Sequence, residues 1–270
     1  MDLSVNGHRA YCYTGGKPFD AAKPTVVFIH GVLNDHSVWI LQSRWFAHHG
    51  WNVLAVDLPG HCRSEGAPPA SVEEAAQFVL ALLDAAGVQK AALVGHSFGS
   101  LIALEAAARA PDRITRLALV GTAYPMTVSP ALLDASLNDP QRAIAMVNGF
   151  SHSMLAPPPS TLGPGTWLYG GSRALMRRVL ASNGEANVFH LGFKACNDYA
   201  NGEGAMAAVA CPVLFVLGNA DQMTPPRSTK ALASKARDAR TVQVTAGHQL
   251  MSEAPDEVLF ALRDFLNATR

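Results

Sequence analysis

Ala91-Ala92-Leu93-Val94-Gly95-His96-Ser97-Phe98-Gly99-Ser100-Leu101-Ile102-Ala103-Leu104 is the stretch from which the rest of the chain is read. A short apolar run, Ala91 to Val94, leads into Gly-His-Ser-Phe-Gly, and a run of helix formers from Leu101 to Ala108 follows. Strand, sharp turn and helix in that order is the setting in which a G-x-S-x-G pattern forms a nucleophile elbow. The residue at the apex takes a strained backbone conformation. Gly95 and Gly99 lack a Cβ and let strand and helix approach closely around it. Ser97 is then lifted out of the sheet beside a helix N-terminus, whose N–H groups favour developing negative charge. Such short patterns also recur by chance. The pentapeptide alone does not separate an elbow from a Gly-Ser turn before a core helix.

Upstream of this stretch, buried strands alternate with helices. Val5 to Tyr13, broken by Asn6-Gly7, reads as a β-hairpin. Thr25-Val26-Val27-Phe28-Ile29 is β-branched and apolar, as a strand buried on both faces should be, and runs into His30-Gly31. A helix is expected from Trp39 to His49, stopped by Gly50. Val53 to Val56 is the next strand, and Glu73 to Ala86 has helical spacing up to Gly87. Downstream, Arg116 to Gly121 is another strand, after which the rhythm fails. Between about 124 and 209 no buried strand is legible. Three helix-like stretches stand there instead, near Pro130–Phe150, Ser172–Ser182 and Asn187–Ala200. The sheet resumes at Pro212–Gly218, followed by a helix near Arg227–Ala236, a strand at Thr241–Val244 and a helix from Asp256 to Leu266. The pattern predicts an α/β fold with a parallel sheet wound on both faces. The expected domains are a core of 1–123 and 210–270, with an all-helical insertion at 124–209.

Composition narrows the function. The chain has 270 residues, 49% of them apolar, enough for one large core. Lys and Arg number 21 and Asp and Glu 21, and no basic run is long enough to suggest a nucleic-acid surface. No apolar run reaches membrane-spanning length, and the N-terminus lacks the basic and apolar regions of a secretion signal. Cys12, Cys62, Cys196 and Cys211 are scattered, which fits a reduced compartment better than a disulfide framework or a zinc site. The expectation is a cytoplasmic protein that acts on a small molecule, with no nucleic-acid or membrane partner. No metal, nucleotide or flavin motif is present, so no cofactor is expected. Oligomeric state is not legible.

A serine hydroxyl is a weak nucleophile at neutral pH. It needs a base within hydrogen-bond reach, and the base needs a group that orients it and stabilises its cation. In an open parallel sheet such groups belong just past strand carboxyl ends. Asp221 stands four residues beyond Leu217, and Gly247-His248 follows the strand that ends at Val244. Asp221 by itself could be a turn residue before Pro225-Pro226, and His248 is one of ten histidines. Three coincidences at three strand ends favour a triad of Ser97, Asp221 and His248, in the chain order expected of an elbow serine. His96 is expected to pack beside the site rather than act in it. An oxyanion needs backbone donors as well. Phe98, next after the serine, is one candidate; Val32, just past Gly31, is the other, with Leu33 behind it.

With these residues in place the chain resembles the α/β-hydrolase superfamily, in particular its small cap-bearing members. The matching segments are His30-Gly31 with Trp39, Asp57-Leu58-Pro59-Gly60-His61-Cys62-Arg63-Ser64, Gly95 to Gly99, Gly218 to Pro225 and Gly247-His248. The resemblance implies an eight-stranded, mostly parallel, doubly wound sheet and a mobile helical cap at about 124–209. The segment from Asp57 departs from the usual D-x-P-G-x-G-x-S, with Cys62 at the second glycine, a position of turn geometry. Relatives that open haloalkanes or epoxides carry aspartate at the elbow; a serine there implies acyl transfer. A carboxylic ester is the favoured substrate. The alternatives are a triad-retaining ligand receptor, a carbon–carbon bond hydrolase, a lyase or a cofactor-free peroxidase. Leu33, Trp167 and Met223 are the candidate substrate-contacting residues. Met146, Phe150, Met154 and Leu155 either face the substrate or pack the cap onto the core. Arg173, Arg177 and Arg178 are expected on a solvated helix face rather than as a carboxylate clamp.

Overall fold

A hairpin opens the chain. β1 (Asp2–Val5) and β2 (His8–Tyr13) pair antiparallel across Asn6-Gly7, both of which have positive φ. The structure is a computed structural model that describes residues 1–20, 22–153 and 167–268. β2 lies antiparallel to β4 (Asn52–Val56), which pairs in parallel with β3 (Thr25–Ile29). Parallel pairing continues through β5 (Ala91–His96), β6 (Ile114–Val120), β7 (Val213–Gly218) and β8 (Ala239–Val244). The eight strands are ordered β1-β2-β4-β3-β5-β6-β7-β8.

Alternation along each central strand divides its side chains between two cores. Val27, Ile29, Leu54, Val56 and Leu93 face one side, with α2 (Val72–Ala85) and α3 (Phe98–Arg109) packed on them. Val26, Phe28, Val53, Ala55 and Val94 face the other, covered by α1 (Ile40–His48) and the C-terminal helix. Trp39, in a 3₁₀ turn before α1, packs against Phe28 with ring centroids 5.2 Å apart and planes tilted by 41°. Each large apolar side chain buried in this way contributes about 1.5–3 kcal/mol. A strand apolar on both faces has no stable alternative to a covered parallel sheet.

Among the described residues, the insertion between β6 and β7 contains five helices, where three helical stretches are read from the sequence. The stretch near Pro130–Phe150 divides into α4 (Pro130–Asn138) and α5 (Pro140–Ser151). Pro140 has no N–H to continue α4, and the Asp139 side chain caps α5 by accepting from Arg142 N–H at 3.1 Å. α6 (Leu168–Ala181) and α7 (Val188–Asp198) follow. α8 (Gly202–Ala208), which has no counterpart in the sequence reading, packs on α3. Its two glycines and short length hid it. Met154 and Leu155 lie outside the described residues. After β7 come α9 (Lys230–Lys235), α10 (Leu250–Glu253) and α11 (Pro255–Leu266), the last packing on α1. No helix among the described residues is long and apolar enough to cross a membrane.

Candidate active site

Ser97 joins β5 to α3 with φ 53° and ψ −119°, a left-handed conformation that costs a side-chain-bearing residue about 1–3 kcal/mol. The two flanking glycines are fixed by contact rather than by torsion. A Cβ on Gly95 would lie 2.0 Å from the Gly99 carbonyl oxygen, and one on Gly99 would lie 2.4 Å from that of Ile29. Helix α3 thus rests directly on the ends of β5 and β3. Ser97 N–H donates to Val120 O at 3.0 Å, and the Ser100 hydroxyl joins Ser97 O (2.5 Å) to the Thr122 hydroxyl (2.7 Å). The strained residue is held from both sides.

Asp221 follows β7 and His248 follows β8. The two loops meet because Gly218 and Gly247 have no side chains: a Cβ on Gly218 would stand 2.3 Å from Gly247 O. His248 Nδ1 lies 2.8 Å from Asp221 Oδ2, and both residues are buried. The other carboxylate oxygen accepts the N–H groups of Met223 and Thr224, each at 2.8 Å. The Thr224 hydroxyl donates to Oδ2 at 2.7 Å. Burial pushes the Asp221 pKa up, but the His248 charge and the bonds from His248 and Thr224 outweigh it and hold the carboxyl at about 2. An ionised Asp221 only accepts, so Nδ1 of His248 is the ring nitrogen that donates to it.

His96 packs beside the site, its ring 4.7 Å from that of His248. Burial and the neighbouring His248 lower its pKa to about 3, so it is neutral. Its Nε2–H donates to His248 O at 2.9 Å, which steadies the backbone of that loop, and its Nδ1 is buried without a partner.

Ser97 and His248 open onto one cavity of about 250 Å³, with Met126, Leu132, Met146, Phe150 and Phe193 among its walls. Met223 stands in the same wall. Trp167 does not: it lines a separate groove with Ile40 and Leu175 and is 58% exposed. The Leu33 side chain is 1% exposed and belongs to the core, while its backbone, at φ 55°, turns the loop after β3. That loop runs against the elbow, since a Cβ on Gly31 would be 3.1 Å from Ser97 Cβ. Val32 follows at once, its side chain under Gly192 of α7. Phe98 is the first residue of α3, where the helix itself does not use the N–H groups.

Several residues that shape the site were not found in the sequence. Thr224 lies in the loop that was read, but hydroxyls three residues from an aspartate are common. Cys196, buried in the apolar core, also lines the cavity. Glu253 and Ser151 brace the His248 loop from elsewhere in the chain: Ser151 O accepts His248 N–H at 2.7 Å, and Glu253 Oε1 accepts Gly247 N–H at 3.1 Å. Cys62 adopts φ 44°, so the turn that usually takes glycine is kept with a side chain in it. Its thiol reaches Asp35 Oδ2 at 3.4 Å. Asp35, His36 and Asp57 cluster tightly enough to suggest a cation site. Their oxygens are already engaged, however: Asp35 accepts from Arg178 (2.5 Å) and Ser37, and Asp57 accepts from His36 and from Arg63 N–H. An arginine on Asp35 supplies the positive charge there.

A serine elbow at the centre of this sheet, with a buried Asp–His pair at two neighbouring strand ends, is the architecture of an α/β hydrolase. Residues 24–162 match the family model described as alpha/beta hydrolase fold, and the chain belongs to that family. Its relatives include the pimeloyl-[acyl-carrier protein] methyl ester esterase of Neisseria meningitidis, 30% identical over 257 residues, covering 92% of this chain and 94% of that protein. The dihydrolipoyllysine-residue acetyltransferase component of the acetoin cleaving system of Pseudomonas putida is 37% identical over 99 residues, 36% of this chain. The match spans only about a quarter, 26%, of that longer relative. Among solved structures, the enol-lactonase of Burkholderia xenovorans LB400 superposes with a TM-score of 0.81, covering 99% of this chain and 100% of that one at 23% identity. At that identity the likeness is one of fold.

Proposed function

We propose that this protein is a serine hydrolase that cleaves a carboxylic ester through an acyl-enzyme, with residues 124–209 as a cap over the site. The observation that carries the reading is the shared cavity. A serine in a left-handed elbow opens onto the same space as a histidine whose other ring nitrogen lies 2.8 Å from a buried carboxylate. Family membership and the hydrolase and esterase names of relatives support hydrolysis as the reaction class.

In this mechanism Ser97 Oγ attacks the ester carbonyl carbon and gives its proton to Nε2 of His248. Asp221, ionised and bonded to Nδ1–H, stabilises the imidazolium that forms. The carbonyl oxygen becomes an oxyanion, met by the N–H groups of Val32 and Phe98, each such donor worth about 10²–10³ in rate. Collapse breaks the ester bond, and the departing alkoxide takes the proton from His248. Water then attacks the acyl-Ser97 ester with His248 again as base, releasing the acid and restoring the serine.

The test treats wild type and Ser97→Ala with a fluorophosphonate probe and assays both on p-nitrophenyl esters. Labelling is expected in wild type alone, and turnover should fall by at least about 10⁴-fold in the variant. Folded wild-type protein that neither labels nor turns over would sink the proposal.

A further inference from the structure

Among the described residues, the wall of the Ser97 cavity contains no lysine, arginine, aspartate or glutamate. The insertion that builds most of it carries five cations, and none of them is in the wall. Arg178 is bonded to Asp35 and Arg177 to Gln141 at 2.9 Å. Arg173 stacks over Trp167 at 5.5 Å, on the other groove, and Lys194 pairs with Asp198. Arg142 is exposed and absent from the lining. Residues 154–166 cannot supply a charge from any position, because their sequence, Met-Leu-Ala-Pro-Pro-Pro-Ser-Thr-Leu-Gly-Pro-Gly-Thr, has none.

Part of the backbone at this wall is already engaged. The N-terminus of α4 borders the cavity at Ser129 and Leu132. Pro130 has no N–H there, Leu132 N–H is taken by Ser129 Oγ at 3.3 Å, and Leu133 N–H goes to Ser129 O at 3.0 Å. Val128 N–H is held by Asn197 Oδ1 at 3.2 Å. The carboxylate of Asp221, bonded to His248 of this wall, repels an anion.

The acyl part stays bonded to Ser97 through both half-reactions while the alcohol departs after the first, and the cavity onto which Ser97 opens is the space available to it. From these placements we infer that the enzyme is selective for a neutral, apolar acyl chain and rejects acyl chains ending in a carboxylate. The inference rests on the acyl-enzyme reading above and adds the substrate class. Desolvating an anionic tail here finds no compensating charge, whereas Met126, Met146 and Met223 give an apolar chain an adaptable surface.

The test compares p-nitrophenyl hexanoate with mono-p-nitrophenyl adipate, which has the same chain length and ends in a carboxylate in place of a methyl. For wild type, kcat/KM for the hexanoate is expected to be at least ~100-fold higher. Methylating the adipate tail should recover most of the loss. Gln222 lines the cavity and is exposed, so Gln222→Arg tests the converse without disturbing the core; it should raise kcat/KM for the adipate and lower the ratio. Wild-type ratios within about threefold of unity, with labelling intact, would overturn the inference and leave the hydrolase standing. Loss of labelling and of turnover on both esters in folded protein would instead remove the hydrolase reading, and this inference with it. Met146→Arg repeats the charge insertion from α5 should Gln222→Arg fail to fold.

Discussion

Thr224 gives both its N–H and its hydroxyl to Asp221, and Met223 gives a third donor, so this carboxylate is oriented before any substrate arrives. Its remaining bond fixes the histidine tautomer. Asp221→Asn keeps the volume but places an amide where Nδ1–H must be accepted, and is expected to lower kcat by about 10⁴-fold with little change in KM. A fall of less than tenfold would detach Asp221 from the chemistry. Cys62 stands at the other kind of residue-scale decision. At φ 44° it bears strain that glycine would not, yet its thiol bonds to Asp35 and its N–H to Ser182 Oγ at 2.9 Å. Cys62→Gly relieves about 1–2 kcal/mol of left-handed strain and gives back up to about 1 kcal/mol in unfolded-chain entropy. The expected net effect is a urea midpoint unchanged or modestly raised. Marked destabilisation would mean that the thiol contact matters more than the torsion.

Helices α5 and α10 meet at the His248 loop, and Glu253 is the residue that joins them. One carboxylate oxygen accepts Gly247 N–H at 3.1 Å and the other accepts Ser153 N–H at 2.9 Å. His248 and Gln249 N–H both go to Ser151 O, the last residue of α5, and Gly247 leaves room for that approach. The end of α5 is therefore part of the support of the histidine loop. Glu253→Gln keeps an acceptor for one N–H and turns an NH₂ toward the other. It is expected to lower kcat about tenfold, cost roughly 1–3 kcal/mol of stability, and speed amide exchange at 247–249 and 151–153 together. Exchange that rises at only one of these segments would count against a shared clamp. None of this was legible in the chain, where Glu253 is one acid just ahead of the last expected helix.

Across the whole molecule the buried carboxylates set the response to acid. Asp221 and Asp35 lie in different parts of the fold, and each has a pKa near 2. For Asp35, burial pushes the value up, but hydrogen bonds from Ser37 and the charges of Arg178 and His36 bring it down. Both values are depressed relative to the unfolded chain. Their contribution is thus complete above a pH of about 4 and is lost as pH falls through about 2, roughly 2 kcal/mol for each. Urea unfolding between pH 5 and pH 2.5 should show stability falling with pH. In Asp35→Asn that slope should be shallower and the starting stability lower. A slope unchanged by the substitution would mean that other groups govern acid unfolding.

The local order of the chain was readable because it depends on neighbours in sequence. β3, β5 and β7 are apolar at successive positions, and only a sheet covered on both sides buries such strands. The elbow carries its own glycines, and the position of an acid and a histidine past two strand ends follows from where those strands stop. By itself the sequence thus determined the α/β class, the helical insertion and the Ser97, Asp221 and His248 candidates. The tertiary structure decided what depends on distance across the fold. It split α4 from α5, set Trp167 on a groove apart from Ser97, buried Leu33 in the core, and opened Ser97 and His248 onto a cavity with no Lys, Arg, Asp or Glu among its described lining residues. Hydrophobic periodicity reports only that a side chain is turned inward. Whether it meets the core, a cavity or another helix is set by packing among segments far apart in the chain, which no local pattern encodes.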